Sequence, residues 1–247
     1  MSIQHTITCK ACFAYGEKDV RVEKRELEYS DSDILVKVDC GGICGSDIHY
    51  FQHGRAGMSV LKHPMVIGHE FVGVIEKAPA DSGLHAGQRV AVNPSQPCNH
   101  CVFCLEGKQN LCKTMRFMGS AQFNPHVNGG FSEYIVATKA QCVPFSKVPP
   151  KVMAFAEPTA VAIHAVNVAG TLVGKKVLVI GAGPIGCLIL AAARSSGAAE
   201  IVASDVSARC LELAVEMGAN ATFNPMEQGS ADHYQENSGY FDVVFEA

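Results

Sequence analysis

The chain has 247 residues, enough to bury a sizeable core in one large domain or two modest ones. Its formal net charge of −4 and its 48% hydrophobic content are those of a soluble globular protein, and they argue against nucleic acid or an anionic membrane surface as its main partner. The N-terminus lacks the apolar stretch of a signal peptide, and 11 cysteines, an odd number, are not typical of a disulfide framework. We therefore expect a cytoplasmic protein.

The first half of the sequence predicts a β-rich domain. Short runs of β-branched and apolar residues alternate with glycine and proline, which end strands and form turns. The predicted strands are residues 34–38, 71–75 and 89–92, with a turn at 85–88. We interpret residues 1–157 as one domain built around a small β-barrel.

Four cysteines in the first half have the spacing of a metal site, C-x-x-C-x-x-C-x₇-C: Cys98, Cys101, Cys104 and Cys112. The two-residue gaps let successive thiolates face one point, and the longer last gap lets the chain return to close a tetrahedral site, which structural Zn²⁺ prefers. The alternatives are an iron–sulfur cluster, whose bacterial ferredoxin pattern ends in a three-residue gap before Cys-Pro, and four unrelated buried thiols. The spacing favours a structural zinc lobe at about residues 95–115.

From about residue 158 the sequence alternates between helix and strand patterns, which predicts a parallel, doubly wound sheet over residues 158–247. The predicted helices are 159–170, 185–195 and 208–217, and the predicted strands are 176–180, 200–205, 221–223 and 241–245. The most apolar stretch, residues 177–193, is interrupted by three glycines and a proline, so we expect no membrane span.

A glycine-rich motif follows the first strand of this second half. The motif and the residues that accompany it are Gly181, Gly183, Pro184, Ile185, Gly186, Asp205 and Arg209. Gly181 permits a tight turn, Gly183 lets the backbone approach a pyrophosphate, and Gly186 allows close packing of helix on strand. Asp205, at the end of the next strand, would bind the ribose diol and repel a 2′-phosphate, so NAD is favoured over NADP. The alternatives are a turn without a ligand and, for Arg209, either tolerance of NADP or a solvated helix charge.

A second group of metal-binding residue types lies upstream of the cysteine lobe. Cys44 follows Gly42, and His69 and Glu70 follow Gly68, so a thiolate, an imidazole and a carboxylate stand on glycine-flanked loops. An open catalytic zinc site needs such ligands, although an isolated cysteine or histidine is more often a core residue.

The motifs identify a family by resemblance. They are G-G-I-C-G-S-D-I-H-Y, G-H-E-F-V-G-V-I, the four-cysteine pattern, A-E-P-T-A-V-A-I-H-A and V-I-G-A-G-P-I-G. The chain resembles zinc-dependent medium-chain alcohol and polyol dehydrogenases, in particular the sorbitol dehydrogenase branch, which has Glu rather than Cys where Glu157 stands. The resemblance implies a GroES-like β-barrel catalytic domain followed by a Rossmann domain, one catalytic and one structural zinc, NAD, a small-molecule substrate, and a homo-oligomer in full-length members.

The resemblance also implies roles at the catalytic zinc. Cys44 and His69 would be ligands, with Glu70 as the third. Glu157 would hold the bound water or exchange with Glu70 as a ligand, and the resemblance leaves both alternatives open. Asp47 is expected to support the His69 ring rather than to act as a base.

Further residues are assigned to proton transfer and to the substrate. Ser46 and His49 resemble a relay that carries the proton of the alcohol to solvent. Tyr50 and Phe117 would line the substrate pocket, with the alternative that either is ordinary core. Arg116 would bind the carboxylate of a sugar acid, or would instead bridge the cysteine lobe to the barrel.

The function that these residues imply is NAD-linked, zinc-dependent oxidation of a secondary alcohol of a sugar acid. The alternatives are a sorbitol- or xylitol-type polyol dehydrogenase and a catalytically silent dinucleotide-binding fragment. Because four strands are predicted where the family has six, we expect a C-terminally incomplete Rossmann domain. Such a chain alone should bind zinc at the cysteine lobe but bind NAD weakly and turn over little.

Overall fold

The computed structural model describes residues 3–235 and 239–247. The chain divides into two compact units, Met1–Glu157 and Pro158–Ala247. The first is mainly antiparallel β-structure and the second is α/β. None of the described helices is both long enough and apolar enough to cross a membrane.

The described residues of the first unit form twelve strands and three short α-helices. In chain order they are β1 Gln4–Gly16, β2 Asp19–Ser30, β3 Ile34–Gly42, α1 Gly45–His53, β4 Arg55–Ala56, β5 Ser59–Val60, β6 Met65–Val66, β7 Glu70–Lys77, β8 Arg89–Val92, β9 Ser95–Gln96, α2 Val102–Leu105, β10 Arg116–Phe117, β11 Tyr134–Ala137, β12 Cys142–Pro144 and α3 Pro150–Met153.

The centre of this unit is a five-stranded antiparallel sheet with the order β11-β3-β7-β8-β12. All three predicted strands are confirmed as its inner strands, and β3 and β7 extend beyond the predicted limits. Their apolar side chains, among them Val36, Phe71 and Val90, form one buried cluster. Gly42, at the end of β3, pairs with Glu70, at the start of β7, so the segments that follow β3 and precede β7 lie side by side.

The long hairpin of β1 and β2 was not predicted. The two strands pair over almost their whole length, and β6 pairs with the other side of β1. β2 has the sequence DVRVEKRELEYS, in which charged residues alternate with single apolar ones. A strand of this kind buries only part of one face, so it has no apolar run to indicate it.

The second half has a four-stranded parallel sheet with the order β15-β14-β13-β16. Its elements are α4 Ala156–Ala169, β13 Lys176–Ile180, α5 Pro184–Ser195, β14 Glu200–Ser204, α6 Ala208–Glu216, β15 Ala221–Phe223, α7 Asp232–Gln235 and β16 Val243–Glu246. The predicted strands and helices are confirmed with limits that differ by a few residues, and among the described elements of this half only α7 was not predicted. The predicted fold class, a β-rich GroES-like part followed by a Rossmann-like parallel sheet, is confirmed. The core of the second unit contains fully buried side chains, among them Val177, Val179, Leu190 and Ile201.

Candidate active site and cofactor motif

Three of the expected metal ligands converge where β3 ends and β7 begins. Cys44 directly precedes α1, while His69 and Glu70 stand at the start of β7. One possible ligand atom from each of the three lies within 4.8 Å of the others. His69 and Glu70 are buried and Cys44 is half-buried. The pairing of Gly42 with Glu70 is the backbone reason for this convergence.

The chemistry of this cluster fits a divalent cation. Burial raises the pKa of the Cys44 thiol and of the Glu70 carboxyl, because each charged form loses hydration there. The buried Nδ1 atom of His69 has no hydrogen-bond partner in the part of the chain that the structure describes. A bound cation would favour both anions and would coordinate the imidazole, which would offset these costs.

Asp47 does not support the ring of His69 as expected. Its Oδ2 atom accepts a hydrogen bond from the Cys44 amide at 3.0 Å, and its Oδ1 atom accepts one from the Gly68 amide at 2.9 Å. The reason is local: at the third position of α1, Asp47 turns back to the residue that caps the helix, which directs its other oxygen at the neighbouring loop. Asp47 therefore holds the backbones of the two ligand-bearing loops together.

Glu157 lies within electrostatic reach of the cluster but is not among the three converging ligands. It is half-buried in the first turn of α4. Burial raises the pKa of its carboxyl, His69 acts in the opposite direction, and Glu70 raises the pKa further. A carboxyl in this environment is a candidate to carry a proton or to bind a water molecule beside the cation.

The expected relay residues both lie on α1. Ser46 is half-buried, and burial raises the pKa of the neighbouring Cys44 thiol while the backbone and side chain of Ser46 act in the opposite direction. His49 is exposed one turn further along the helix.

The three proposed substrate contacts are in different environments. Tyr50 is 2% exposed in a core cluster, and its hydroxyl accepts a hydrogen bond from the Ala121 amide at 2.9 Å. Phe117 stacks edge-on against His69, with ring centroids 5.4 Å apart. Arg116 is exposed. Because adjacent residues of a strand face opposite sides, Arg116 on β10 points away from the side that Phe117 shares with His69.

A cavity of about 310 Å³ adjoins the cluster of Cys44, His69 and Glu70. Its lining comprises Cys40, Gly41, Gly42, Glu70, Lys151, Ala154 and Phe155. Glu70 thus borders both the cluster and the cavity, whereas Tyr50, Phe117 and Arg116 do not line it.

The four cysteines of the lobe form a second cluster. Their sulfur atoms all lie within 4.8 Å of one another, with Cys104 at 3.6 Å from Cys101 and 4.0 Å from Cys98. A tetrahedron of Zn–S bonds of about 2.3 Å would place the sulfurs about 3.8 Å apart. The Cys98 amide also donates to the sulfur of Cys112, and the Cys101 amide to the sulfur of Cys98. The spacing fits a closed zinc site.

The protonation of the lobe is uneven. Hydrogen bonds from backbone amides, first that of His100, lower the pKa of Cys98 to about 5, whereas burial raises the pKa of Cys104 to about 12. The four cysteines therefore differ in how readily each loses its proton. Zinc binding requires the remaining thiols to lose their protons, so metal uptake should release protons.

The glycine motif has the geometry of a phosphate-binding turn. Gly181 has a φ of +88°, and Gly183 caps α5, which begins with Pro184. A Cβ atom at Gly186 would collide with the carbonyl oxygen of Gly181, whereas a Cβ at Gly183 would meet open space. Ile185 packs against the core of the parallel sheet. The N-terminus of α5 can therefore approach an anion closely.

Asp205 directly follows β14 and faces the glycine motif. Its two carboxylate oxygens accept hydrogen bonds from the amides of Ala182, at 2.7 Å, and Ser207, at 2.8 Å. The bonds from Ser207 and Ala182 hold the pKa of Asp205 below its usual value. Arg209 is exposed and forms a 3.7 Å ion pair with Glu212, which fits a solvated helix charge.

Comparison with known proteins agrees with this geometry. Residues 30–149 match the family of alcohol dehydrogenase GroES-like domains, and residues 184–247 match the family of zinc-binding dehydrogenases. The chain is 49% identical over 241 residues to the L-idonate 5-dehydrogenase (NAD(P)(+)) of Escherichia coli K12, an alignment that covers 97% of this chain and 70% of that enzyme. The chain belongs to the zinc-dependent medium-chain dehydrogenase family.

Two further comparisons extend the relationship. The crystal structure of the L-idonate 5-dehydrogenase from Escherichia coli superposes with a TM-score of 0.95 at 48% identity, covering 99% of this chain and 70% of that one. A probable D-xylulose reductase A of Aspergillus fumigatus is 40% identical over 225 residues, or 88% of this chain and 61% of that protein. The chain thus spans between about three-fifths and seven-tenths of these relatives.

Two features of this medium-chain dehydrogenase site were missed in the sequence. One is the link from Asp47 to Gly68, although the Cys44-x-x-Asp47 spacing is that of a capping box and could have indicated its first half. The other is the close contact of Gly68 with Phe131: Gly68 has a φ of +91°, and a Cβ atom there would collide with the Phe131 ring. No local pattern connects residues so far apart in the chain.

Proposed function

We propose that this chain provides the metal-binding and dinucleotide-binding parts of a dehydrogenase that oxidises L-idonate at C5 to 5-dehydro-D-gluconate with NAD. The observation that carries the proposal is the convergence of Cys44, His69 and Glu70, in a chain 49% identical to an L-idonate 5-dehydrogenase. In this reaction the carbon that bears the hydroxyl loses a hydride to the nicotinamide, and the hydroxyl loses a proton.

Cys44, His69 and Glu70 would hold a catalytic zinc, and the four cysteines of the lobe would hold a structural one. Bound zinc supplies Lewis acidity, which makes the substrate hydroxyl easier to deprotonate. Glu157 would hold a water molecule beside the site or exchange with Glu70 as a ligand. Asp47 would keep the loops of Cys44 and His69 at a fixed separation.

Proton release would follow α1. Ser46 is half-buried two positions after Cys44, while His49 is exposed. Residues three positions apart lie on the same helix face, so Ser46 can pass a proton to His49 and His49 to solvent.

Asp205 would select NAD over NADP. Each carboxylate oxygen accepts one backbone hydrogen bond and retains a lone pair for a ribose hydroxyl, and the charge repels a 2′-phosphate. In the Asp205→Ala variant, the NAD:NADP ratio of dissociation constants should shift towards NADP by at least about tenfold, equal to about 1.4 kcal/mol. Titration of both dinucleotides, with Arg209→Ala as the control, checks this. An unchanged ratio would assign ribose selection to another residue.

A neutral polyol is the second candidate substrate. Arg116, the cation proposed to bind the carboxylate, faces away from His69, and the probable D-xylulose reductase relative is 40% identical. Both observations favour a substrate without a negative charge.

A substrate screen separates the two. The zinc-loaded protein is assayed for NADH formation with L-idonate, sorbitol and xylitol, and binding of each compound is measured in parallel by calorimetry. We expect both turnover and affinity to be highest for L-idonate. Preference for sorbitol or xylitol in both measurements would identify the substrate as a polyol rather than a sugar acid. If Arg116 binds the carboxylate, Arg116→Ala should weaken the binding of L-idonate and leave the binding of sorbitol unchanged.

A further inference from the structure

Two histidines outside both metal clusters share one face of α1. His49 and His53 are four residues apart, and both side chains are exposed. Their ring centroids are 5.8 Å apart, and the ring planes differ by 31°. Residues at this spacing lie one above the other on a helix. Among the described residues, neither ring takes part in a hydrogen bond or an ion pair.

The distance between the rings is close to that of a chelating pair. If one cation bonds to a nitrogen of each ring at about 2.1 Å, the two centroids are about 5 Å apart. Small rotations of these two exposed side chains would bring the centroids from the observed 5.8 Å to the chelating distance. Two histidines at this spacing on a helix are also the arrangement by which one helix face binds zinc in metalloproteases.

We propose that His49 and His53 form a third metal site, on the surface, for a divalent cation that prefers imidazole ligands, such as Zn²⁺ or Ni²⁺. Water molecules complete the coordination, so the site is weaker than the cysteine lobe. His53 stands in the last turn of α1, where the negative end of the helix dipole favours a cation. The nearby charge of Arg55 opposes binding, and its exposure to solvent limits this effect.

The site would regulate the reaction, a consequence that rests on the proposed function. His49 is the residue through which the proton of the alcohol reaches solvent. A nitrogen that coordinates a cation cannot accept a proton, so cation binding at His49 and His53 closes this route. Excess zinc or nickel should therefore inhibit turnover without removing the metal from either of the other clusters.

Nickel titration of untagged protein tests the site without using activity. The protein is first loaded with zinc, and Ni²⁺ binding is then measured by calorimetry for wild type and for His53→Gln. The matched control is His85→Gln, which removes another exposed histidine that has no histidine partner one turn away. We expect His53→Gln to bind Ni²⁺ about a hundredfold more weakly, because the second ligand of a chelate binds at high effective concentration. The His85→Gln variant should match wild type.

Nuclear magnetic resonance locates the cation. Paramagnetic Ni²⁺ should broaden the ring signals of His49 and His53 first. Equal Ni²⁺ affinity in wild type and His53→Gln, or first broadening at other histidines such as His63 and His126, would overturn the proposal.

Inhibition is tested separately. In the L-idonate assay, His53→Gln should keep its basal rate and lose most of the inhibition by Ni²⁺, and inhibition of His53→Gln equal to that of wild type would refute the regulatory role. Absence of both L-idonate binding and L-idonate oxidation in every variant would instead contradict the proposed function, while the nickel titration would still decide whether the metal site exists.

Discussion

Asp47 joins the amides of Cys44 and Gly68, at 3.0 Å and 2.9 Å, and so ties together two loops that are far apart in sequence. Asp47 is 2% exposed, and both bonds involve a charged acceptor, each contributing about 1.5–3 kcal/mol. The positions of Cys44 and His69 therefore depend on a residue that coordinates nothing.

Asp47→Asn should weaken metal binding at the cluster of Cys44, His69 and Glu70. The variant keeps the size of the side chain, but it loses the charge and one acceptor oxygen. We expect zinc affinity at this cluster to fall by about 10- to 100-fold, as for other residues that orient ligands. Chelator competition measures the affinity. Asp39→Asn, an exposed change on β3, is the control and should leave it unaltered. Equal affinities in Asp47→Asn and wild type would show that the bridge does not position the ligands.

Cys44→Ser should impair mainly activity, whereas Cys101→Ser should impair mainly stability. Cys44 belongs to the open cluster, so its loss should abolish oxidation and leave the fold intact. Cys101 belongs to the cluster of four sulfurs, in which a bound metal would contribute folding energy, so its loss should lower the melting temperature first. Thermal melts and zinc counts on both variants check this. Similar falls in melting temperature, with activity retained in Cys44→Ser, would reverse the two assignments.

Gly186→Ala and Gly183→Ala should separate packing from dinucleotide binding. The new methyl group at position 186 meets the Gly181 carbonyl, so we expect a loss of about 1–3 kcal/mol in stability. At position 183, φ is −69° and the space is open, so stability should hold while NAD affinity falls by at least about tenfold, or about 1.4 kcal/mol. Melts and NAD titrations measure both quantities. Unchanged NAD affinity in Gly183→Ala would place the pyrophosphate elsewhere.

His126 should make the protein less stable in mild acid. Its Nδ1 donates to the Phe123 carbonyl at 2.8 Å, and its Nε2 accepts from the Lys62 amide at 2.9 Å, so both nitrogens are bonded in the neutral form. Burial lowers the pKa of His126, the bond to Phe123 opposes this, and the charges of His63 and Lys62 add to the lowering.

The sign of the pH effect follows from linkage. Because the pKa is lower in the folded state, the unfolded chain takes up the proton more readily, and stability falls as pH drops through about 6.5 towards the folded value. Above that pH the contribution is constant. Between about pH 7.5 and 5, the melting temperature of wild type should fall more than that of His126→Gln, while His85→Gln should follow wild type. Parallel curves for wild type and His126→Gln would rule out this histidine as the source.

The sequence predicted the parallel sheet well because its strands are apolar runs bounded by glycines, as in Lys176–Ile180 followed by Gly181. It failed for β2 because charged residues separate its few apolar ones, as in a solvated loop, and β1, which pairs with β2, was missed with it. The candidate ligands were predicted from glycine-flanked loops, and the structure brings Cys44, His69 and Glu70 together. The bond of Asp47 to the Gly68 amide could not be predicted, because Gly68 reaches Asp47 only through the pairing of β3 with β7.

Because β3 pairs with β7, metal binding by Cys44, His69 and Glu70 depends on how these two strands are aligned. Irregularities near Val36 and Cys40 set the alignment that ends with Gly42 opposite Glu70. A slip by one residue would turn alternate side chains to the other face of the sheet and separate Glu70 from Cys44. Only the correctly aligned sheet can then bind the cation tightly. Zinc present during folding would select that alignment from its competitors, because ligand binding stabilises the state that binds.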